Sequence, residues 1–186
     1  MKATSEQLQH WLDRIARHDD RRAFRMLFDV FYPQLLRLAV YYLKVRETAE
    51  EIVQDVFVKI WQIRQTLPAV GNFRSYLFST TRNHCLNQLQ KKGSPVLMSF
   101  HDVPIDGLAG PDQTPDEAVE FQETQSKVQT AINNLPPQCR LVFQFVKEQG
   151  LSYKETAELL QISPRTVETQ IGIALKKLAA ALGDSH

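Results

Sequence analysis

An all-α fold of two small helical domains joined by a flexible acidic linker, the second containing a helix-turn-helix, is what this 186-residue sequence predicts. Three observations lead there. Apolar residues recur every three or four positions over long stretches, while β-branched runs with period-two alternation are absent and glycine is scarce, at 7. The helical pattern stops across 93–116 and resumes afterwards. Near the C-terminus, two amphipathic segments are separated by only a tight turn.

The elements follow in chain order. Thr4 and Gln7 fit a capping box, and Leu8, Trp11, Leu12 and Ile15 form the apolar stripe of a first helix. A second begins near Arg22 and carries Phe24, Leu27, Phe28 and Phe31. Pro33 is expected to kink it or to restart a helix bearing Leu35, Leu36, Leu38, Val40 and Leu43. A third, over 48–63, buries Ile52, Val53, Val56, Phe57, Ile60 and Trp61. Residues 67–72 read as a loop, and a fourth helix over 73–91 packs Tyr76, Leu77, Phe78, Leu86 and Leu89. Residues 1–92 thus make a first domain.

Between Pro104 and Pro115 five prolines and glycines stand among scattered acids, the composition of a linker. A structureless stretch of this length is better placed between domains than inside one, so 93–116 is assigned as the linker and 117–186 as the second domain. There, one helix covers 118–135, Pro136 and Pro137 restart the next, and Leu141, Val142, Phe143, Phe145 and Val146 supply its core before Gly150 ends it. The helix-turn-helix follows. Ala157, Leu160, Ile162, Val167 and Ile171 are spaced to share a small core, Ser163 can cap the second helix, and Pro164 at its first position sacrifices no hydrogen bond.

Net charge is only +1, but the charges are segregated. Residues 1–92 hold 15 Lys and Arg against 9 Asp and Glu, whereas residues 93–126 hold 7 acids and no base. No acid occurs between Asp55 and Asp102, leaving Lys59, Arg64, Arg74, Arg82, Lys91 and Lys92 unopposed. A basic segment interleaved with aromatics suits a polyanion. On the third helix, Glu50, Glu51, Gln54 and Asp55 form an acidic patch, either a solvated face or a docking surface for a basic partner helix. In the helix-turn-helix, Arg165, Thr166, Glu168, Thr169 and Gln170 lie at the exposed start of the second helix, with Lys176 and Lys177 further along. Such side chains reach base edges and phosphates when a helix enters a major groove.

Other function classes find no support. Paired carboxylates, a nucleophile elbow, a phosphate-binding glycine loop and a Cys/His metal set are all missing, so neither catalysis nor a metal or cofactor is expected. No apolar run approaches the ~18 residues of a membrane span and the N-terminus has no signal-peptide core, which points to the cytoplasm without direct membrane insertion. Cys85 and Cys139 lack ligand spacing and read as buried or half-buried thiols.

The run from Glu50 to Trp61 and the run from Asn72 to Asn83 together resemble conserved region 2 of bacterial sigma factors, and the helix-turn-helix resembles their region 4. With only these two domains, the chain resembles the extracytoplasmic-function (ECF, group IV) sigma factors of the sigma-70 superfamily. The resemblance implies a factor that binds core RNA polymerase and directs promoter-specific initiation. It implies that Glu51, Gln54 and Asp55 dock on the clamp helices of the β′ subunit, and that the second domain meets the β flap. Residues 67–72 and the start of the next helix, with Asn72 and Phe73, would capture flipped bases of the −10 element. Asn83 and Asn87 would add polar contacts, while Arg74, Arg82, Lys91 and Lys92 would hold phosphates. Strand opening indeed calls for pockets for unstacked bases beside a basic track. Arg165, Thr166, Thr169 and Gln170 would read the −35 element in the major groove, with Lys176 or Lys177 on phosphate. An anti-sigma factor is the further implied partner.

The rival reading is a LuxR-type helix-turn-helix regulator, whose effector domain shares the Lys-Glu-x-Ala and Thr-Val-Glu elements. That architecture wants a receiver or ligand-sensing domain upstream, and residues 1–92 show neither alternating strands nor an aspartate pocket.

Overall fold

The computed structural model describes residues 3–91 and 127–183, with the side chains of 182 and 183 left aside. The stretch 93–116 assigned above as a linker, and Lys92, lie outside the described residues. Contacts divide the chain into two compact units, Met1–Met98 and Ser99–His186. The described residues contain no strand.

The first unit is a helical bundle of α1 (Ser5–His18), α2 (Arg21–Leu43), α3 (Arg46–Gln62) and α4 (Phe73–Lys91). The capping box at Thr4 and Gln7 is present, with both reciprocal hydrogen bonds formed. Leu8, Leu12 and Ile15 are buried on one face. Each such burial contributes roughly 1.5–3 kcal/mol. Asp20 caps α2 by accepting from the N–H groups of Arg22 and Ala23, and it also pairs with Arg14 at 2.5 Å. These contacts hold its carboxyl below the usual carboxylate range.

α2 runs through Pro33 as one helix of 23 residues, so of the kink or restart expected there the restart does not occur. Proline removes one backbone bond, yet Phe31, Leu35 and Leu38, all wholly buried around it, keep both halves packed on the same core. The first half of the predicted loop 67–72 is helical instead: Arg64–Ala69 forms a 3-10 helix with Leu67 wholly buried, so the connection to α4 shrinks to 70–72. α3 begins at Arg46, two residues before the expected start, after Lys44 ends α2 in the left-handed conformation.

The core of α4 also differs in detail from its expected stripe. Phe73, Leu77, Thr81 and Cys85, spaced four apart, are buried with Phe78. Tyr76, Leu86 and Leu89 are half-buried. Aromatic packing joins α2 to its neighbours: Phe24 meets Trp61 edge-on at 4.9 Å, and Phe31 meets Phe73 at 6.1 Å.

In the second unit, residues 127–133 are helical (α5), followed by α6 (Pro137–Phe143), α7 (Tyr153–Leu160) and α8 (Pro164–Gly183). Pro137 sits at the start of α6 as expected. Beyond Phe143 the chain widens into a π-helical turn, Gln144–Glu148. Gly150, at φ 72°, then reverses it, a conformation glycine adopts without penalty. Ala131, Ile132, Leu135 and Cys139 pack with Ala174 and Leu178 of α8. Ala157, Leu160, Val167 and Ile171 are buried at the helix-turn-helix, while Ile162 is half-buried.

Candidate nucleic-acid interface

Three surfaces carry the predicted residues. On α3, Ile52, Val53, Val56, Phe57 and Ile60 turn inward. That leaves Glu47, Glu51, Gln54, Asp55 and Val58 exposed along the opposite side. Glu51, Gln54 and Asp55 are therefore brought together on one stripe. Glu50 is set apart from them, pairing with Arg46 one turn earlier at 2.9 Å. Val58, 55% exposed, adds an apolar contact to the stripe. Beside it, Phe24, Phe28 and Trp61 with Arg21 and Arg25 line an open groove of about 420 Å³.

Around the start of α4 the predicted residues separate into two groups. Asn72 is exposed and caps the helix, its Oδ1 accepting the Ser75 N–H at 3.1 Å. Asn83, Asn87 and Lys91 are exposed along the outer side of α4. Phe73, Arg74 and Arg82 differ from expectation. The Phe73 ring is 4% exposed, committed to Phe31, so it serves the core and cannot act as an open stacking platform. Arg74 donates to the carbonyl oxygen of Ala3 and lies 5.5 Å from the centre of the Phe31 ring. Burial pulls its pKa down, marking a cation held by protein rather than offered to solvent. Arg82 is half-buried and hydrogen-bonded to the Tyr42 hydroxyl. A concavity of about 140 Å³ does open here, with Phe73 at its edge. Its other lining residues include Ser5 and Gln9 of α1 and Val70, Gly71 and Asn72 of the connection. The contribution of α1 was not legible in sequence, because only the folded bundle brings residue 5 beside residue 71.

In the helix-turn-helix, Ser152 and Glu155 form a full capping box on α7. Gln161 takes the left-handed conformation that makes the turn. Ser163 caps α8, its Oγ accepting the Thr166 N–H at 3.0 Å. Val167, Ile171, Ala174 and Leu178 face inward, which leaves Arg165, Glu168, Thr169 and Lys176 exposed. Thr166 and Gln170 are half-buried at the edge of that face. The Thr166 hydroxyl lies 2.8 Å from that of Ser163.

These features are matched by known proteins. Residues 27–94 match the family model described as Sigma-70 region 2, and residues 125–178 that described as Sigma-70, region 4. The ECF RNA polymerase sigma factor SigM of Mycobacterium tuberculosis is 30% identical over 171 residues, covering 88% of this chain and 79% of SigM. The chain belongs to the ECF sigma factors of the sigma-70 family. The ECF sigma factor RpoE of Cereibacter sphaeroides is 29% identical over 164 residues, 87% of each chain. Among solved structures, CnrH in complex with the cytosolic domain of CnrY aligns over 97% of this chain and 99% of that chain, at 21% identity and a TM-score of 0.48.

As an ECF sigma factor, the protein binds core RNA polymerase and directs initiation at specific promoters. The LuxR-type alternative is not favoured, since 27–94 match region 2 where that architecture requires a sensing domain. Sigma factors are not an enzyme class. No group of three metal-ligating side chains occurs among the described residues, and no helix there is long and apolar enough to cross a membrane.

Proposed function

We propose that this sigma factor works through three separate surfaces, with 1–92 and 117–186 as functional domains and 93–116 as the linker. The exposed stripe of Glu51, Gln54 and Asp55 docks on the clamp helices of the β′ subunit. An anti-sigma factor competes for the same stripe, where Val58 offers an apolar contact. Asn72, Asn83, Asn87 and Lys91 contact the −10 element, and the concavity beside Gly71 and Asn72 receives an unstacked base. Arg74 and Arg82 shape this surface from within. Arg165, Thr169, Gln170 and Lys176 contact the −35 element, with Thr166 fixing the first turn of α8. The second domain also meets the β flap. The protein acts in the cytoplasm and has no catalytic step of its own.

The observation that carries this reading is the exposed polar face of α8. Val167, Ile171, Ala174 and Leu178 turn inward, which leaves Arg165, Glu168, Thr169 and Lys176 on the exposed side, with Ile173 and Leu175 also exposed, a face able to enter a major groove. Run-off transcription with purified core polymerase on a genomic promoter pool tests it. Discrete transcripts dependent on this protein are expected, and their upstream sequences give both promoter elements. Unchanged transcript levels with Asp55→Arg, or unchanged −35 dependence with Arg165→Ala, would overturn the corresponding assignment.

A further inference from the structure

Gln170 does not stand freely on the reading face. Cys139, 3% exposed in α6, donates its thiol hydrogen to Gln170 Oε1 at 2.9 Å. A side-chain amide has an acceptor end and a donor end. Here the acceptor end is turned toward a buried side chain, leaving Nε2 as the end that meets a ligand. The thiol keeps its proton, because burial pushes its pKa upward. Thr169 is set the opposite way: its hydroxyl hydrogen goes to the Arg165 carbonyl at 2.9 Å, so its oxygen faces outward as an acceptor.

An unrestrained glutamine in the major groove suits adenine, whose N6 amino group donates to the amide oxygen while N7 accepts from the amide nitrogen. Oε1 keeps a second lone pair, but aimed at the buried Cys139 thiol it is not set beside Nε2 on the outer edge, so that two-point match is lost. Guanine presents two acceptors, N7 and O6, on the same edge and needs only a donor. We infer that Cys139 is a positioning residue that makes Gln170 a donor-only reader, selecting guanine over adenine at the −35 position it faces. This rests on α8 reading the −35 element.

Transcription by the full-length protein with core polymerase, on a promoter library holding every base at each −35 position, tests the inference. Gln170→Ala is expected to flatten the preference at one position, by on the order of tenfold. Cys139→Ala and the nearly isosteric Cys139→Val are expected to move that position alone from guanine toward adenine. Cys139→Ser, which keeps a donor, is expected to retain guanine. A merely structural cysteine would instead lower activity at all positions alike, and that result overturns the inference. So does an unchanged base order in folded Cys139→Ala and Cys139→Val. If Gln170→Ala flattens nothing while Arg165→Ala does, this inference fails and the −35 reading stands. If neither variant alters any position, the −35 reading fails with it.

Discussion

Arg74 lays its guanidinium across the ring of Phe31, 5.5 Å from the centroid, while donating to the carbonyl oxygen of Ala3. Arg74→Ala is therefore expected to destabilise the protein by about 2 kcal/mol, combining a partly desolvated cation–π contact with a charged hydrogen bond. Arg74→Lys should not rescue it, since an ammonium cannot reproduce the planar fork. Lys91→Ala offers the contrast. Exposed at the end of α4, it should leave stability within about 0.5 kcal/mol and lower the salt dependence of promoter binding by about one charge. Urea unfolding and binding across a salt series separate the two arginine and lysine roles.

Asp55→Arg reverses a charge on the exposed stripe of α3 without touching the core. Folding stability should stay within about 0.5 kcal/mol of the parent. Affinity for core polymerase should fall by about 2 kcal/mol or more, roughly thirtyfold, if a basic helix docks there. Co-migration with core polymerase measures the second effect, and a parent-like affinity would remove α3 from the interface.

Alkaline pH should unfold the first unit in a defined window. Burial pushes the Cys85 thiol up to about 12 from an ordinary value near 9 and the Tyr42 hydroxyl up to about 12 from an ordinary value near 10. The unfolded chain loses these protons first. Stability from this source is thus complete below pH 9 and declines as pH rises toward about 12. Urea midpoints measured from pH 8 to 11 are expected to fall progressively, and Tyr42→Phe should make the decline shallower. For the same reason Cys85 should resist alkylation until the protein unfolds.

Ser152 and Gly150 tune the entrance to the helix-turn-helix. Ser152→Ala removes the acceptor for the Glu155 N–H and should cost about 1 kcal/mol. Gly150→Ala forces a Cβ into a backbone at φ 72° and should cost a comparable amount, although no atom lies within 4 Å of that Cβ. Thermal unfolding of the two single variants and the double variant checks both expectations. A neutral Gly150→Ala would mean that the turn relaxes.

Much of the fold was legible because its signals are local. Thr4 with Gln7, and Ser163 before Pro164, announce helix starts through side chains that reach only three residues. The α3 stripe and the α8 face were legible for the same reason, since helical spacing alone decides which side is wet. What failed was non-local. Pro33 looks like a break until the burial of Phe31, Leu35 and Leu38 is known. Arg74 looks like a free cation until Ala3, 71 residues away in sequence, is brought beside it. Asp19, Lys44 and Gln161 end helices in the left-handed conformation without the glycine that would have signalled it.

The Arg74–Ala3 contact also bears on how the protein can be handled in the laboratory. Ala3 is buried, and its carbonyl is held by a residue that lines the small concavity beside Gly71. An affinity tag fused at the N-terminus would leave the bundle next to the surface proposed to receive a base. Promoter-melting assays therefore call for a protein whose N-terminus carries no such fusion.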